Sequence, residues 1–226
     1  MLALLVAAAS MSAVDAERAF ARDAQRIGQW TAFRKYADET AVMFNPQAVW
    51  AHELLAQLKD PPKAISWGPS ESWIACDGRT AINRGPWTSP AGAKGYFTTV
   101  WGREGKGWRW TYQGGDTLAR PIAVPRKPRI ERASCGGQSN IRKQYREEVK
   151  PTERIAGKPP ADAGQGRSAD GTLIYEWKVA ASGERHFKAK LWDGRDYRTI
   201  LDQKIIALQP KPSPGLTRSI VRGRVG

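Results

Sequence analysis

The sequence is poor in the residues from which metal sites are usually built. It has two cysteines and two histidines in 226 residues, and neither His52 nor His186 lies near a cysteine. It also lacks a G-x-S-x-G motif, paired metal ligands and a glycine-rich phosphate loop between a strand and a helix. These absences argue against zinc enzymes, serine hydrolases of that type and nucleotide-binding enzymes. We therefore predict no metal and no cofactor.

Long hydrophobic runs are also missing. The apolar run from Leu2 to Ala9 is too short for a membrane-spanning helix, which needs about 20 residues. Small residues follow it, and Val14-x-Ala16 is acceptable to signal peptidase, although no Lys or Arg precedes Arg18. We predict a signal peptide at residues 1–16 and a bacterial periplasmic or secreted protein. The alternative is the hydrophobic first turn of a buried helix.

The even cysteine count fits an exported chain with one disulfide. A bond between Cys76 and Cys135 would close a loop of about 60 residues, worth up to about 4 kcal/mol in the chain-entropy model. It would also tie the first half of the chain to the second. The alternative is two unpaired buried thiols.

Positive charge is spread unevenly along the chain. The formal net charge is +14, but residues 15–116 hold 13 basic and 11 acidic residues, whereas residues 117–226 hold 23 and 11. The aromatic-rich half is thus nearly neutral, which disfavours a nucleic-acid partner, because single-strand binders combine rings and charge in one groove. The basic half suits an anionic partner of the cell envelope, with a solvated face as the alternative.

Helical periodicity occupies the start of the mature chain. Apolar residues from Ala16 to Tyr36 recur at steps of three and four, which predicts one helical stripe broken at Gly28. An apolar run, a turn at Asn45-Pro46 and a third helix over 51–60 follow. Pro61-Pro62 ends that helix.

Strand patterns come next. Asp77-Gly78 and the residues 104–107 punctuate hairpins. In "GWRWTYQGGD", Trp108, Trp110 and Tyr112 alternate with polar residues, which predicts that all three cover one face of a strand. Helices followed by such strands indicate an α+β domain with an antiparallel sheet packed on helices.

The second half has a different composition. Residues 117–168 are rich in Pro, Gly and basic residues, which predicts a connector, with one helical turn near 141–149. Residues 169–206 show three alternating runs separated by Ser182-Gly183 and Asp193-Gly194, which predicts a small β-meander. The tail, residues 207–226, is predicted to be disordered.

Residues 15–116 resemble the SnoaL-like branch of the nuclear transport factor 2-like superfamily, in element order and in the aromatic closing segment "GYFTTVWGREGKGWRW". The predicted domain spans residues 17–116. The resemblance implies a curved sheet wrapped on helices as a cystatin-like cone with a cavity at its wide end. It also implies homodimers formed through the sheet. Members include isomerases, cyclases, dehydratases and non-catalytic binders, so the fold does not fix the function.

The aromatic residues are the best evidence for a pocket. Eight of them are candidates to line a cavity for a small apolar or aromatic ligand: Trp30, Phe33, Tyr36, Phe44, Trp50, Trp73, Trp87 and Tyr96.

Three functions remain open from the sequence. The first is an exported protein that binds a small ligand without turning it over, and we favour it over catalysis. The second is an isomerase or cyclase-like lyase acting in the same cavity, which would need a base and an oxyanion donor. The third is an envelope adaptor that binds an anionic partner through its basic half. The candidate bases are Asp23, Asp38, His52 and Asp116, and the candidate donors are Tyr36, Tyr96 and Tyr112.

Overall fold

The computed structural model describes residues 11–105, 107–118, 125, 127–139, 141 and 158–206. Three predicted features lie wholly or mostly outside these residues: residues 1–10 of the signal peptide predicted at 1–16, the helical turn predicted at 141–149, and the tail predicted to be disordered. The helices of the described residues are α1 (Ala13–Ile27), α2 (Gln29–Tyr36) and α3 (Ala51–Ala56). The strands are β1 (Ala37–Asn45), β2 (Gln47–Trp50), β3 (Ser66–Trp67), β4 (Glu71–Ile74), β5 (Thr80–Thr88), β6 (Lys94–Glu104), β7 (Gly107–Thr117), β8 (Arg129–Arg132), β9 (Ala163–Arg167), β10 (Leu173–Val179), β11 (Arg185–Trp192) and β12 (Tyr197–Ile205).

Helix α1 begins three residues earlier than its apolar stripe predicts. Ser12 and Asp15 form a reciprocal capping box, in which the Asp15 amide donates to Ser12 Oγ at 3.1 Å. Ala13 and Val14 are buried. The helix ends at Gly28, whose φ of 106° disfavours any residue with a side chain. The last residues of the predicted signal peptide therefore belong to a packed helix.

Within the described part of the chain, the first sheet has eight strands and is mixed, not wholly antiparallel as predicted. Its order is β2-β1-β7-β6-β5-β4-β8, with β3 paired to β5. The pairs β1–β7 and β4–β8 are parallel. Parallel strands cannot be joined by a tight turn and need a long crossover connection. Long stretches of chain accordingly separate the two strands of each parallel pair. Only the neighbouring hairpins can be foreseen from local turn signals.

A β-bulge in β7 changes which way its aromatic residues face. Trp110 pairs with Trp101 and Tyr112 pairs with Val100, so Thr111 is the extra residue. The bulge reverses the alternation beyond Trp110. Trp108 and Trp110 pack on the helix side of the sheet, whereas Tyr112 packs on the opposite side. The prediction that all three share one face is therefore wrong for Tyr112.

The second sheet is antiparallel, in the order β12-β11-β10-β9. Its strands β10, β11 and β12 lie within the segment predicted as a β-meander. The predicted connector contributes two further strands. β8 joins the edge of the first sheet beside β4, and β9 joins the edge of the second beside β10.

The layers are helices, first sheet and second sheet, with a core on each side of the first sheet. The helix-side core includes Phe20, Phe33, Leu55, Trp101, Trp108 and Trp110. The inter-sheet core includes Trp50, Trp73, Val100, Tyr112, Trp177, Phe187 and Trp192. The second half of the chain therefore covers the face of the first sheet that the helices leave free.

Cys76 and Cys135 form a disulfide with Cα atoms 5.2 Å apart. It joins the hairpin between β4 and β5 to the segment that follows β8, as the cysteine count suggested. A disulfide is consistent with a location outside the cytoplasm. Within the part of the chain that the structure describes, no helix is long and apolar enough to cross a membrane.

Candidate functional site

A cavity of about 620 Å³ opens where the helices and both sheets come together. We call it the aromatic cavity. It is lined by Phe33, Phe44, Asn45, Pro46, Ile65, Trp67, Trp87, Phe97, Gln113, Gly115, Asp116, Thr117, Ser182, Gly183, Arg185 and Ile206.

Two glycines leave room for the chain at the cavity wall. A Cβ on Gly95 would lie 2.4 Å from the Trp87 ring, and one on Gly115 would lie 2.1 Å from the carbonyl oxygen of Tyr96. Gly115 also has a φ of 154°. The close approach of β5, β6 and β7 at this end of the sheet therefore depends on the absence of side chains at these two positions.

Arg185 is the cation of the cavity. It begins β11 and shares the inward-facing stripe of that strand with the buried residues Phe187, Ala189 and Leu191. Its guanidinium lies 4.5 Å from the centre of the Phe44 ring, and Nη2 donates to the carbonyl oxygen of Gly115 at 3.1 Å. Burial lowers the pKa of this guanidinium from its ordinary value, although arginine remains cationic at neutral pH.

Asp116 also lines the cavity, but backbone amides occupy its carboxylate. Oδ1 accepts from the amide of Thr117 at 2.7 Å, and Oδ2 accepts from the amide of Ile206 at 3.3 Å. The latter bond holds the end of β12 against the end of β7. These contacts indicate that Asp116 joins the ends of two strands. They leave its carboxylate poorly placed to act as a general base.

Gln113 supplies amide chemistry to the same wall. Its Oε1 accepts a hydrogen bond from Thr99 Oγ1 at 2.7 Å, on the paired residue of β6. That bond orients the side chain and leaves the amide nitrogen as its donor group. A polar donor in an apolar pocket gives orientation to a bound ligand.

A second polar group lies next to the cavity, inside the helix-side core. Glu17 on α1 is wholly buried. Its Oε1 accepts from Trp67 Nε1 at 2.8 Å and its Oε2 accepts from Trp101 Nε1 at 2.7 Å. Burial raises the pKa of this carboxyl to about 7, and the indole hydrogen bonds oppose the rise only in part. Trp67 therefore connects the buried acid to the cavity wall.

The eight aromatic residues predicted to bind a ligand lie on both sides of the first sheet. Phe33, Phe44 and Trp87 line the aromatic cavity. Trp30 and Tyr36 pack against the helix-side core, whereas Trp50, Trp73 and Tyr96 belong to the inter-sheet core. The structure does not bring the eight together in one pocket.

The candidate bases are equally scattered. Asp38 accepts from the amide and hydroxyl of Thr40 at the surface. Asp23 contacts Lys35 and Arg26, and the Lys35 hydrogen bond lowers its pKa to about 2. His52 lies on α3, and its buried Nε2 has no hydrogen-bond partner among the described residues.

The candidate donors have separate surroundings too. Tyr36 donates to Asp23, and burial raises its pKa to about 12. Tyr96 and Tyr112 lie in the inter-sheet core, where burial raises the pKa of each. None of the three lines the aromatic cavity. Among the described residues, no three His, Cys, Asp or Glu side chains cluster as metal ligands would.

Sequence reasoning missed Arg185, Trp67, Phe97 and Gln113. A signal for Arg185 is present in "RHFKAKLW", because Arg185 shares its alternation with Phe187, Ala189 and Leu191. Trp67 and Phe97 carry no such signal, since only the tertiary pairing brings β3, β5 and β6 to the cavity.

No family model matches this sequence, and no curated protein matches it. A solved structure from Novosphingobium aromaticivorans, described as "a putative aromatic ring hydroxylase", is similar to 49% of this chain and to 89% of its own length. The identity is 17% and the TM-score is 0.33. At that TM-score the likeness carries no argument about fold or function.

Proposed function

We propose that this protein is an exported binding protein for a small apolar or aromatic ligand, built on a SnoaL-like cone of the nuclear transport factor 2-like superfamily. The aromatic cavity is the observation that carries this proposal. Its volume of about 620 Å³ falls within the roughly 300–1,000 Å³ typical of small-molecule pockets. Rings from the first half of the chain form most of its walls, and Arg185 and Ile206 from the second half complete them.

The arrangement of the first half supports the cone. Helices α1 and α2 pack on one face of the first sheet, and the long hairpin of β6 and β7 carries the large aromatic residues of that face. The aromatic cavity lies at one end of these strands. A sheet wrapped on helices with its cavity at the open end is the arrangement that the resemblance implies.

Binding without turnover accounts for the polar groups better than an isomerase or lyase does. Of the candidate bases, Asp116 alone lines the cavity, and two backbone amides occupy its oxygens. A general base must reach the proton that it removes. His52 and Asp38 lie on other parts of the fold, so neither serves this cavity.

Export is supported by the disulfide and by the apolar run at Leu2–Ala9. Cleavage after Ala16 would remove the capping box of α1 and the buried residues Ala13 and Val14. An exported chain that keeps α1 and its cap whole must therefore be cleaved ahead of Ser12. N-terminal sequencing of the mature protein tests this, and a mature chain that begins at Glu17 would contradict it.

Titration with the neutral probe N-phenyl-1-naphthylamine tests the binding function. We expect saturable fluorescence enhancement by the wild-type protein. Ser182→Trp places a bulky ring at an exposed position on the cavity lining, so it should weaken binding strongly. Ala181→Trp is the matched control, because Ala181 is an exposed neighbour that does not line the cavity. Absence of binding by the wild type, or equal binding by both variants, would count against the proposal.

A basic face on the second sheet supports a second function, attachment to an anionic membrane surface. Lys178, His186 and Lys204 form one row across β10, β11 and β12, and Lys188 and Lys190 extend the face along β11. These residues alternate with buried ones, so they face away from the inter-sheet core. Glu176 and Asp202 interrupt the face, and Asp202 contacts His186 at 2.6 Å.

Sedimentation with phosphatidylglycerol vesicles tests this second function. Lys178→Glu/Lys188→Glu should abolish salt-sensitive association if the basic face mediates it. Lys59→Glu/Lys63→Glu is the matched control, since it reverses the same number of charges on the first half. Equal loss in both variants would show a general charge effect and remove this candidate.

A further inference from the structure

The aromatic cavity combines apolar walls with one guanidinium. Phe33, Phe44, Trp67, Trp87 and Phe97 supply ring surface, and Arg185 supplies the positive charge. An arginine at an inward-facing position of a strand is costly to desolvate unless a partner compensates it. The contacts of Arg185 therefore indicate what the cavity is built to receive.

The contacts of Arg185 within the fold occupy only some of its N–H donors. Nη2 donates to the carbonyl oxygen of Gly115, and the planar group stacks on Phe44. An arginine has five N–H donors. No other hydrogen bond from Arg185 is formed to the described residues, and none of their carboxylates lies within ion-pair distance of it.

Asp116 balances this charge only from a distance. Asp116 attracts Arg185 through space but forms no ion pair with it, and the Asp116 oxygens accept from the amides of Thr117 and Ile206. Stacking on Phe44 and the bond to Gly115 hold the guanidinium in a fixed orientation, with the remaining donors available. A fixed planar fork of donors matches the two oxygens of a carboxylate.

We propose that the ligand of the aromatic cavity is a small aromatic or apolar carboxylate, held by its ring against the aromatic walls and by its carboxylate on Arg185. This inference rests on the proposed binding function and names the chemical class of its ligand. The amide nitrogen of Gln113, which lines the same cavity, is a second donor for the anion.

A matched pair of probes tests the inference: 1-naphthoate and 1-naphthamide, which have the same ring and differ in charge. Isothermal titration calorimetry at pH 7 measures both against the wild-type chain. The expected result is tighter binding of the carboxylate, by roughly tenfold to a hundredfold, from its charge-assisted hydrogen bonds. Both probes fit well within the volume of the cavity.

Two variants separate a direct contact from a general charge effect. Arg185→Gln should remove the preference for 1-naphthoate, so that the two probes bind this variant with similar affinities. Lys188→Gln is the matched control, because it removes a positive charge from the same strand on its outward face. It should keep the preference. Circular dichroism spectra and melting temperatures of both variants establish that they are folded.

The outcomes distinguish this inference from the proposed function. If 1-naphthamide binds the wild type as tightly as 1-naphthoate, or if Arg185→Gln keeps the preference, the carboxylate assignment is wrong and the binding function stands. If the wild type binds neither probe, nor N-phenyl-1-naphthylamine, both are wrong. Equal loss of the preference in Arg185→Gln and Lys188→Gln also overturns the assignment, since it would reflect overall charge.

Discussion

Glu17 is a carboxylic acid placed wholly inside the helix-side core, among the indoles of Trp67 and Trp101. Burial raises its pKa from 4.5 to about 7. The folded chain therefore holds a proton at this site that the unfolded chain releases at a lower pH. Its stabilising contribution is fully present below about pH 4.5 and is lost as the pH rises to about 7. The loss is of the order of 3 kcal/mol.

Urea unfolding at several pH values between 4.5 and 8 tests this directly. We expect the free energy of unfolding to fall over that range in the wild type, and Glu17→Gln to lack most of this slope because an amide does not titrate. Its overall stability should also be lower, since an amide NH₂ would meet an indole N–H. Glu184→Gln, on an exposed turn, is the control and should keep the wild-type slope. An unchanged slope in Glu17→Gln would show that another group titrates.

The sequence permits the prediction that this core exists but not that it holds an acid. In the sequence, Glu17 lies near Ala16 and Phe20 and looks like an ordinary polar residue of a helix. The partners that tolerate it come from β3, β5 and β6. A polar residue can be buried only where tertiary hydrogen bonds satisfy it. Those partners are distant in sequence, so the residues around Glu17 do not reveal them.

Helix α2 shows a similar dependence at the scale of an element. Its N-cap is Gly28, which has no side chain to accept from the free amides of the first turn. Asp60, at the end of the segment after α3, does so instead: Oδ1 accepts from the amides of Trp30 at 2.5 Å and Thr31 at 3.0 Å. A Cβ on Gly28 would lie 2.3 Å from Asp60 Oδ2, so the glycine also makes room for the cap.

Asp60→Ala should lower the free energy of unfolding by about 1–2 kcal/mol, the usual cost of a lost N-cap. Asp60→Asn keeps an acceptor oxygen and should cost less. The hydrogen bond from Thr31 lowers the pKa of Asp60. Its contribution is therefore present above the carboxyl's unfolded pKa and is lost as the pH falls through the lower folded value. Urea titrations at pH 7 and pH 3 measure both effects, and an Asp60→Ala variant as stable as the wild type at pH 7 would contradict the capping role.

The strands that belong to hairpins could be predicted from their turns. The strands that pair with distant segments of the chain could not. The hairpins β4–β5, β6–β7 and β10–β11–β12 carry glycine turns and alternation, and each lies in the predicted segment. β1 follows α2 without punctuation, and its partner β7 is far along the chain. β9 has the sequence "AGQGR", which has low strand propensity. Its glycines are needed because Cβ atoms on Gly164 and Gly166 would meet the rings of Trp177 and Tyr175 at about 2.5 Å.

At the scale of the whole molecule, the disulfide joins segments from the two halves. Cys76 and Cys135 are 59 residues apart in sequence. The chain-entropy model gives about 4 kcal/mol as the upper limit for a loop of that length. We expect reduction to lower the free energy of unfolding by up to this amount and to leave the native fold intact. We expect two backbone hydrogen bonds beside the disulfide to persist after reduction: the Ala133 amide donates to the Ile74 carbonyl, and the Ser134 amide donates to the Trp192 carbonyl.

Guanidinium unfolding with and without dithiothreitol measures the effect of the disulfide. The double variant Cys76→Ser/Cys135→Ser should match the reduced wild type and should not respond to the reductant. A wild type whose unfolding midpoint is unaffected by complete reduction would show that the bond contributes nothing to stability.

The halves are also joined without covalent bonds. Tyr112 packs on Phe187 with ring centres 4.6 Å apart, and Thr98 donates to Gln203 at 3.0 Å within the buried interface. Phe44 on β1 contacts Trp177 on β10. The face of the first sheet through which relatives of the resembled family are expected to pair is thus occupied by the chain's own second sheet.

The composition of the chain changes at residue 117, but the contacts between the halves indicate that they do not fold as independent domains. A chain ending at residue 118 would expose Val42, Trp50, Trp73, Val100 and Tyr112, all of which lie in the inter-sheet core. Contiguous apolar surface of that kind promotes association. We expect the truncated protein to aggregate or dimerise in size-exclusion chromatography, while the wild type elutes as a monomer. A monomeric, cooperatively unfolding fragment would show instead that the first half is an independent domain. In that event the second sheet would serve chiefly to complete the aromatic cavity, since Arg185 lies on β11 and Ile206 directly follows β12.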